Sequence, residues 1–498
     1  MNVNPITRLD YPDLDVIRVE DTYYMVSTTM HFMPGCEILQ SFDLVHWEHV
    51  TYVYETLDHT DAQQLKSGQN IYGQGMWAAS LRYHEGRFYI CFVANDTRKT
   101  YLYTSEKIDG PWKKQLIEGF YHDGSLLFDE DGRNYIVYGN DEIWITELNE
   151  DLTAPKKDGL HRLLVSDHKN PELGYEGSHI QKINGYYYIF LIHSLRDRWM
   201  RTEACFYSDS LEGEFTGGDV LCDDRGYCGQ GVAQGGIVDT PDGKWYAMLF
   251  QDSGAVGRIP ILLPVTWKDH FPFFGQNGHV PEEIEVHSTR PGYIYQPLVG
   301  SDDFCNGLLP RWQFNHDPDP RYYHLDALQG TYTITTREVC TELTQAVNTL
   351  TQRMSYPSCA AEVTVDASAL KEGDVAGLCA LQGCYAAVGI TKHHGKYEVL
   401  MLDKKEDGIL DMTEGTVVES HQMDFRLEAD FCNMKDEARC YYRVNKGDWL
   451  PIGTVHKLYF KLDHFTGCRF GLFCYAAEET GGSACFRDFK YYDVDEIS

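Results

Sequence analysis

Glu176-Gly-Ser-His-Ile-Gln-Lys-Ile-Asn-Gly-Tyr-Tyr-Tyr188 decides the fold, because the first half of the chain carries five versions of this phrase. The other four run from Asp13-Leu-Asp-Val-Ile to Tyr24, from Trp77-Ala-Ala-Ser-Leu to Tyr89, from Asp123-Gly-Ser-Leu-Leu to Tyr135 and from Gln234-Gly-Gly-Ile-Val to Tyr246. The first residue lies 12 before the Tyr in four copies and 11 before it in the copy at Asp13. Each phrase is an apolar strand, a polar turn and an aromatic strand, which is one hairpin of a sheet. Copies spaced about 46 to 65 residues apart fit the blades of a propeller, so five copies predict five blades around one axis.

Equivalent positions in a radial array point at one central place. The column that heads the phrase holds Asp13, Trp77, Asp123, Glu176 and Gln234. Three carboxylates in a desolvated funnel cannot all ionise, and carboxylates with divided roles are what acid/base chemistry on a sugar requires. Asp13 follows Tyr11-Pro12 at a strand entrance, where Pro removes no ladder hydrogen bond. A turn Asp is the ordinary use of a Pro-Asp pair; membership of the column outweighs it. Asp15 competes, since alternation puts it on the same face, but its equivalents Ala79, Ser125, Ser178 and Gly236 are a column of small residues, which favours Asp13. Trp77, Phe32 and Met33 are expected as apolar walls for a sugar ring, against the ordinary use of such residues in a core. Arg258, after Gly257 behind the fifth repeat, is expected to hold a carboxylate or bind a sugar hydroxyl rather than sit on the surface.

At 498 residues the chain is long enough for two large domains. Aromatic content of 13%, with 34 Tyr, fits many half-buried strands and a carbohydrate-stacking surface. A formal charge of -32 argues against nucleic acid or an anionic membrane as partner. No apolar run approaches the roughly 20 residues that span a bilayer, and the start of the chain has no apolar signal region, so a cytoplasmic location is expected. Fifteen Cys without zinc-ligand spacing are expected as free, mostly buried thiols, with Cys379/Cys384 and Cys222/Cys228 the nearest pairs.

Residues 1–287 are read as the propeller, 288–300 as a linker and 301–498 as a β-sandwich. The sandwich follows from period-two stretches such as Thr331-Tyr-Thr-Ile-Thr-Thr and Phe470-Gly-Leu-Phe-Cys-Tyr. The segment Thr60-Asp-Ala-Gln-Gln-Leu-Lys suggests one short helical turn in an otherwise all-β protein.

With these residues the chain resembles glycoside hydrolase family 43, five-bladed propeller enzymes that include β-xylosidases and α-L-arabinofuranosidases. The resemblance is carried by Asn4-Pro5-Ile6 with Tyr11-Pro12-Asp13, by Met33-Pro34-Gly35 with Ser41 to Trp47, and by Trp77-Ala78, Asp123-Gly-Ser-Leu-Leu-Phe, Glu176-Gly-Ser-His and Gly235 to Trp245. Ser301-Asp-Asp-Phe, Asn348 to Arg353 and His464-Phe-Thr-Gly resemble the sandwich appended to β-xylosidase-type members.

The resemblance implies an inverting mechanism with Asp13 as general base, Glu176 as general acid, and Asp123 orienting that acid and raising its pKa by like-charge repulsion. Inversion asks for base and acid about 6.5 to 9.5 Å apart so that a water fits between. It also implies a loop of the sandwich capping the funnel, hence release of xylose from the non-reducing ends of short xylo-oligosaccharides, and a homo-oligomer formed through the two-domain face. Three departures stand out: Pro-Asp-Leu-Asp for Pro-Asp-Pro-Ser, Trp-Ala-Ala for Trp-Ala-Pro, and Gln234 where many members carry an axial His around a water or calcium site. No cofactor is therefore expected to be required, and a Ca²⁺ near the axis is in doubt. The rival readings are an α-L-arabinofuranosidase acting on arabinoxylan fragments and a sugar-binding propeller without turnover. The sandwich is expected to act as an interdomain brace with a loop contribution rather than as a carbohydrate-binding module.

Overall fold

The computed structural model describes residues 3–413 and 415–493, and within them the chain is all-β, with four short 3-10 turns. Five antiparallel four-stranded sheets follow one another at 15–54, 76–117, 125–166, 176–221 and 233–274, one per repeat. They form a five-bladed propeller whose innermost strands are Asp15–Val19, Met76–His84, Ser125–Phe128, Glu176–Ile183 and Ala233–Asp239. These neighbour one another round the ring, and the fifth meets the first. The helical turn expected at Thr60 to Lys66 is a run of turns leading into a single 3-10 turn at Lys66–Gly68.

The repeat Tyr explains why the phrase recurs. Tyr24, Tyr89, Tyr135, Tyr188 and Tyr246 sit in five separate apolar clusters, one at each seam between successive blades. Each blade thereby buries aromatic surface on the next, at about 1.5–3 kcal/mol for a fully buried large side chain. Ring closure uses the chain's beginning. The Asn4 side chain donates to the Leu262 carbonyl (2.8 Å) and accepts from the Leu262 N–H (2.9 Å), while Ile6 and Tyr11 donate to the carbonyls of Pro260 and Arg258.

The axis itself is filled by charge. Asp15, at 1% exposure, accepts from the Arg82 guanidinium (2.7 Å) and the Leu81 N–H (2.8 Å), and its second oxygen lies 3.2 Å from His179 Nδ1. Arg82 continues to the Leu126 carbonyl, the Ser125 hydroxyl and the Ile180 carbonyl. One side chain of blade two therefore ties blades one, three and four together.

The second domain is a β-sandwich of a nine-stranded and a seven-stranded sheet enclosing the largest apolar cluster, which includes Trp312, Phe314, Phe425 and Phe470. Residues 275–300 are docked rather than loose. Thr289 donates from its N–H to the Phe42 carbonyl and from its hydroxyl to the Asp21 carbonyl, and Arg290 pairs with Asp21, all on blade one. The short strand Phe32–Met33 leaves blade one to pair with Gln313–Asn315 of the nine-stranded sheet. Across the same seam Arg353 donates to Glu37 (2.7 Å) and to the Asp10 carbonyl (2.9 Å) and lies over the Tyr11 ring. The sandwich is thus a brace on the propeller. All fifteen cysteines are free, ten of them buried, Cys379 and Cys384 included, whereas Cys222 and Cys228 are exposed. No helix of the described residues is long and apolar enough to cross a membrane.

Burial pushes the Asp15 carboxyl up, but Arg82 and His179 overcome it and hold it at about 2 against an ordinary 3.8. That depression stabilises the fold above the ordinary carboxylate range and is lost as pH falls through 2. Asp15→Ala strands the Arg82 charge in the axis and is expected to cost about 3–5 kcal/mol in chemical denaturation at neutral pH; a loss below 1 kcal/mol would show that the axis tolerates an unpaired guanidinium.

Candidate active site

All five column residues, Trp77, Glu176 and Gln234 on the inner strands and Asp13 and Asp123 two residues before them, border a cavity of about 210 Å³, which His122, Arg258, Asn140, Leu173, Trp199, Arg201, Leu462 and Phe465 also line. Typical pockets for drug-sized ligands hold about 300–1,000 Å³, so this one suits a single small ring.

Local backbone geometry aims these side chains. Asp13, Asp123 and Gln234 have φ of 51°, 48° and 61°, a left-handed conformation that costs about 1–2 kcal/mol per non-glycine residue. In blades two and four the ladder register shifts directly after the column residue, between Trp77 and Ser80 and between Glu176 and His179, and in blade five the shift between Ala233 and Gly236 contains Gln234 itself. Such bulges turn one side chain out of the regular alternation. Beside Glu176 the residue must be glycine. Gly177 has φ of 64°, a Cβ there would come within 2.6 Å of the Gln234 side chain, and its N–H donates to Asp123 Oδ2 at 3.0 Å.

Asp13, 4% exposed, is held at both oxygens: Oδ2 accepts from the Thr28 hydroxyl (2.6 Å) and Oδ1 from Arg258 Nη1 (2.5 Å). The Thr28 hydroxyl itself accepts from the Ala78 N–H (2.8 Å), which directs its proton at Asp13. Asp13 and its rival Asp15 take different positions. Asp15 belongs to the axial lock with Arg82 and does not border this cavity. Both Asp15 oxygens already face Arg82 or His179, so this carboxylate has no free oxygen to offer an axial cation.

The same cavity is bordered by His122, Asp123 and Glu176, each of which offers one nitrogen or oxygen atom within 4.8 Å of the other two. His122 Nε2 is 3.5 Å from Asp123 Oδ2 and 3.7 Å from Glu176 Oε2. Burial and the neighbouring Glu176 and Asp13 charges push Asp123 up to about 6 despite His122. Burial acts against the His122 cation, yet Asp123 and Glu176 raise it to about 9. Burial also acts to raise Glu176, but the neighbouring His122 charge outweighs it and brings that carboxyl below its ordinary value; Asn140 Nδ2 also donates to Oε2 at 2.7 Å. The expected raising of Glu176 by Asp123 is opposed by the His122 cation, which acts on Glu176 in the other direction.

Arg258 is the buried charge expected from the sequence. It spans Asp13 and Asp252 and lies 4.0 Å from the centre of the Phe465 ring. Trp77 also packs edge-on to Phe465, with ring centres 5.1 Å apart. Phe465 and Leu462 come from a sandwich loop that the Gly467 N–H pins to Asp10 (2.7 Å), so the loop caps the cavity as expected. Phe32 and Met33 are a second correction, because neither borders the cavity. Pairing with the sandwich draws them into the seam, where Phe32 lies 3.5 Å under the Arg469 guanidinium and Met33 joins the core between blades one and two. Sequence reasoning missed His122, Thr28, Asn140, Arg201 and Asp252. Only His122, next to a column residue, carried a signal.

Gly177→Ala combines left-handed strain with the clash on Gln234 and is expected to cost about 1–3 kcal/mol in chemical denaturation. Gly185→Ala, with φ of 84° and nothing within 4 Å, isolates the strain alone; equal losses in the two variants would show that the Gln234 contact gives way freely.

The sequence profile of the family "Glycosyl hydrolases family 43" matches residues 3–272, and that of the "Beta xylosidase C-terminal Concanavalin A-like domain" matches residues 301–492. A β-xylosidase of Formosa agariphila is 27% identical over 99% of this chain and 89% of its own. A xylosidase/arabinosidase of Butyrivibrio fibrisolvens is 23% identical over 99% of both. Among solved structures, a bifunctional GH43-CE protein of Bacteroides eggerthii is 42% identical with a TM-score of 0.92. The comparison covers 99% of this chain, which spans 63% of that longer one. A GH43 glycoside hydrolase whose active site was engineered to display both endo-xylanase and exo-arabinofuranosidase activity is 28% identical over 99% of both chains, with a TM-score of 0.86. A five-bladed propeller with acids on its axis, a capping sandwich and both matches place this chain in family 43 of the glycosyl hydrolases.

Proposed function

We propose that the chain is an inverting, exo-acting β-xylosidase that releases xylose from the non-reducing ends of xylo-oligosaccharides. The observation that carries this is the small cavity that Asp13 and Glu176 both border together with Leu462 and Phe465 of the sandwich. A pocket of one-ring size favours chain ends over internal bonds.

Asp13 is the general base. Its two hydrogen bonds from Thr28 and Arg258 orient the carboxylate towards a water on one face of the sugar. Glu176 is the general acid that protonates the leaving oxygen. The proton it delivers comes from a coupled unit of three, in which His122, near 9, holds its proton around neutral pH and Asp123, near 6, gives its proton up just below it. Asp123 also orients the acid through the Gly177 N–H, one residue away. Trp77 and Phe465 supply the apolar wall for the ring.

The fifteen free cysteines fit a reducing compartment and support action in the cytoplasm. A second activity, α-L-arabinofuranosidase, is favoured by the relatives whose names join both sugars.

The deciding experiment is hydrolysis of nitrophenyl β-D-xylopyranoside beside nitrophenyl α-L-arabinofuranoside, with the anomer of the first product read by NMR. Xyloside turnover yielding α-xylose first supports the proposal; β-xylose first would overturn inversion, dominant arabinofuranoside turnover would promote the second activity, and no turnover of either would favour a sugar-binding propeller. Glu176→Ala is expected to lose about 10²–10⁴-fold on substrates with poor leaving groups and much less on nitrophenyl glycosides, whereas Asp13→Ala is equally impaired on both. In the pH profile of kcat/KM, His122→Asn removes the cation that favours ionised Glu176, so the basic limb is expected to move to higher pH. A limb that stays or moves down would remove His122 from the proton-sharing unit.

A further inference from the structure

Arg201 opens the third strand of blade four, Arg201–Ser208, and is 3% exposed. Its Nη1 lies 2.6 Å from Asp252 Oδ2, and the other oxygen of Asp252 lies 3.2 Å from Arg258 Nε. The rings of Trp199 and Phe250 stand 5.5 and 5.4 Å from its guanidinium carbon. The guanidinium is thus held by one carboxylate and two aromatic faces. Beyond that ion pair it makes no hydrogen bond, and its Nε is buried without a partner, although the side chain borders the cavity. Charged donors left unmatched in a buried site are costly. Arg258 differs, because its guanidinium is engaged by Asp13 and Asp252.

The missing acceptor has a recognisable chemistry. The cavity and its rim already set Asp13, Asp123, Glu176 and Asp252 against Arg201, Arg258 and His122. Burial first, and then the charges of Glu176 and Asp13, raise Asp123, and those same charges would repel a further anionic group. A neutral oxygen would not. Trp77 Nε1, also bordering the cavity, is a second buried donor without a partner, so two walls ask for neutral acceptors.

We propose that Arg201, held in place by Asp252, is a specificity-determining residue that donates a hydrogen bond to one ring hydroxyl of the terminal sugar. This rests on the hydrolase reading above. Asp252 is a positioning residue: it fixes Arg258 on the base and Arg201 on the substrate at once.

The test compares nitrophenyl β-D-xyloside with its 2-, 3- and 4-deoxy analogues on wild type, Arg201→Met and Arg201→Lys, with folding checked by circular dichroism. One deoxygenation is expected to cost the wild type about 10- to 100-fold in kcat/KM and to cost Arg201→Met almost nothing further, the other positions keeping equal penalties in both proteins. Equal penalties at all three positions in wild type and Arg201→Met would overturn the assignment and leave Arg201 as a brace for Asp252. Should Arg201→Met fail to fold, the same comparison is made with Arg201→Lys, whose single ammonium cannot reproduce the planar fork; an unchanged penalty at every position overturns the assignment there too. Wild-type inactivity on the parent xyloside and on nitrophenyl α-L-arabinofuranoside overturns the hydrolase reading and this assignment together, which separates that failure from the loss of coupling alone.

Discussion

The ion pair between Asp15 and Arg82 stands where all five blades must agree. A propeller has no single core; its apolar contacts are spread over five seams, and each seam constrains only two blades. Arg82 reaches from blade two to blades one, three and four, so the seams close on one geometry. Burying that guanidinium is tolerable only because a carboxylate and three backbone carbonyls receive it.

Above this lock the catalytic cavity repeats the same electrostatic logic with a different purpose. Asp13, Arg258, Asp252 and Arg201 form an alternating chain from blade one through blade five to blade four. Each charge has an opposite neighbour, which lets several acids and bases remain in a small desolvated space. On the far side His122 does the same for Asp123 and Glu176, and the protons there belong to the group of three rather than to one residue. Asp13 and Glu176 are therefore placed in different charge environments by residues from different blades.

The sandwich contributes shape. Its loop at Leu462 to Gly467 is pinned to Asp10, and Asp10 also accepts from the Arg258 N–H, so one buried carboxylate of the N-terminal segment positions both the cap and the arginine facing the base. Replacing Gly467 would force a Cβ to within 2.0 Å of the Val256 carbonyl. The cap cannot drift without disturbing the strand that carries Arg258.

Much of this was legible in the chain. Hairpin repeats are local patterns, and the radial rule that equivalent positions converge turned five phrase-heading residues into a shared cavity wall, with Arg258 correctly drawn in. The change to period-two strands after residue 300 marked the sandwich. What the chain could not disclose is which distant side chains become partners. Asp13 and Asp15 look interchangeable in sequence; 67 positions later Arg82 claims the second, and 245 positions later Arg258 claims the first. Phe32 and Met33 resemble pocket walls until the sandwich draws them into its sheet, and the depressed Glu176 reflects a histidine that no repeat position announces. Periodicity, set by neighbours within a few residues, is written in one dimension. Charge pairing and capping depend on which blades and loops meet in space, and that is decided only when the ring closes and the second domain docks.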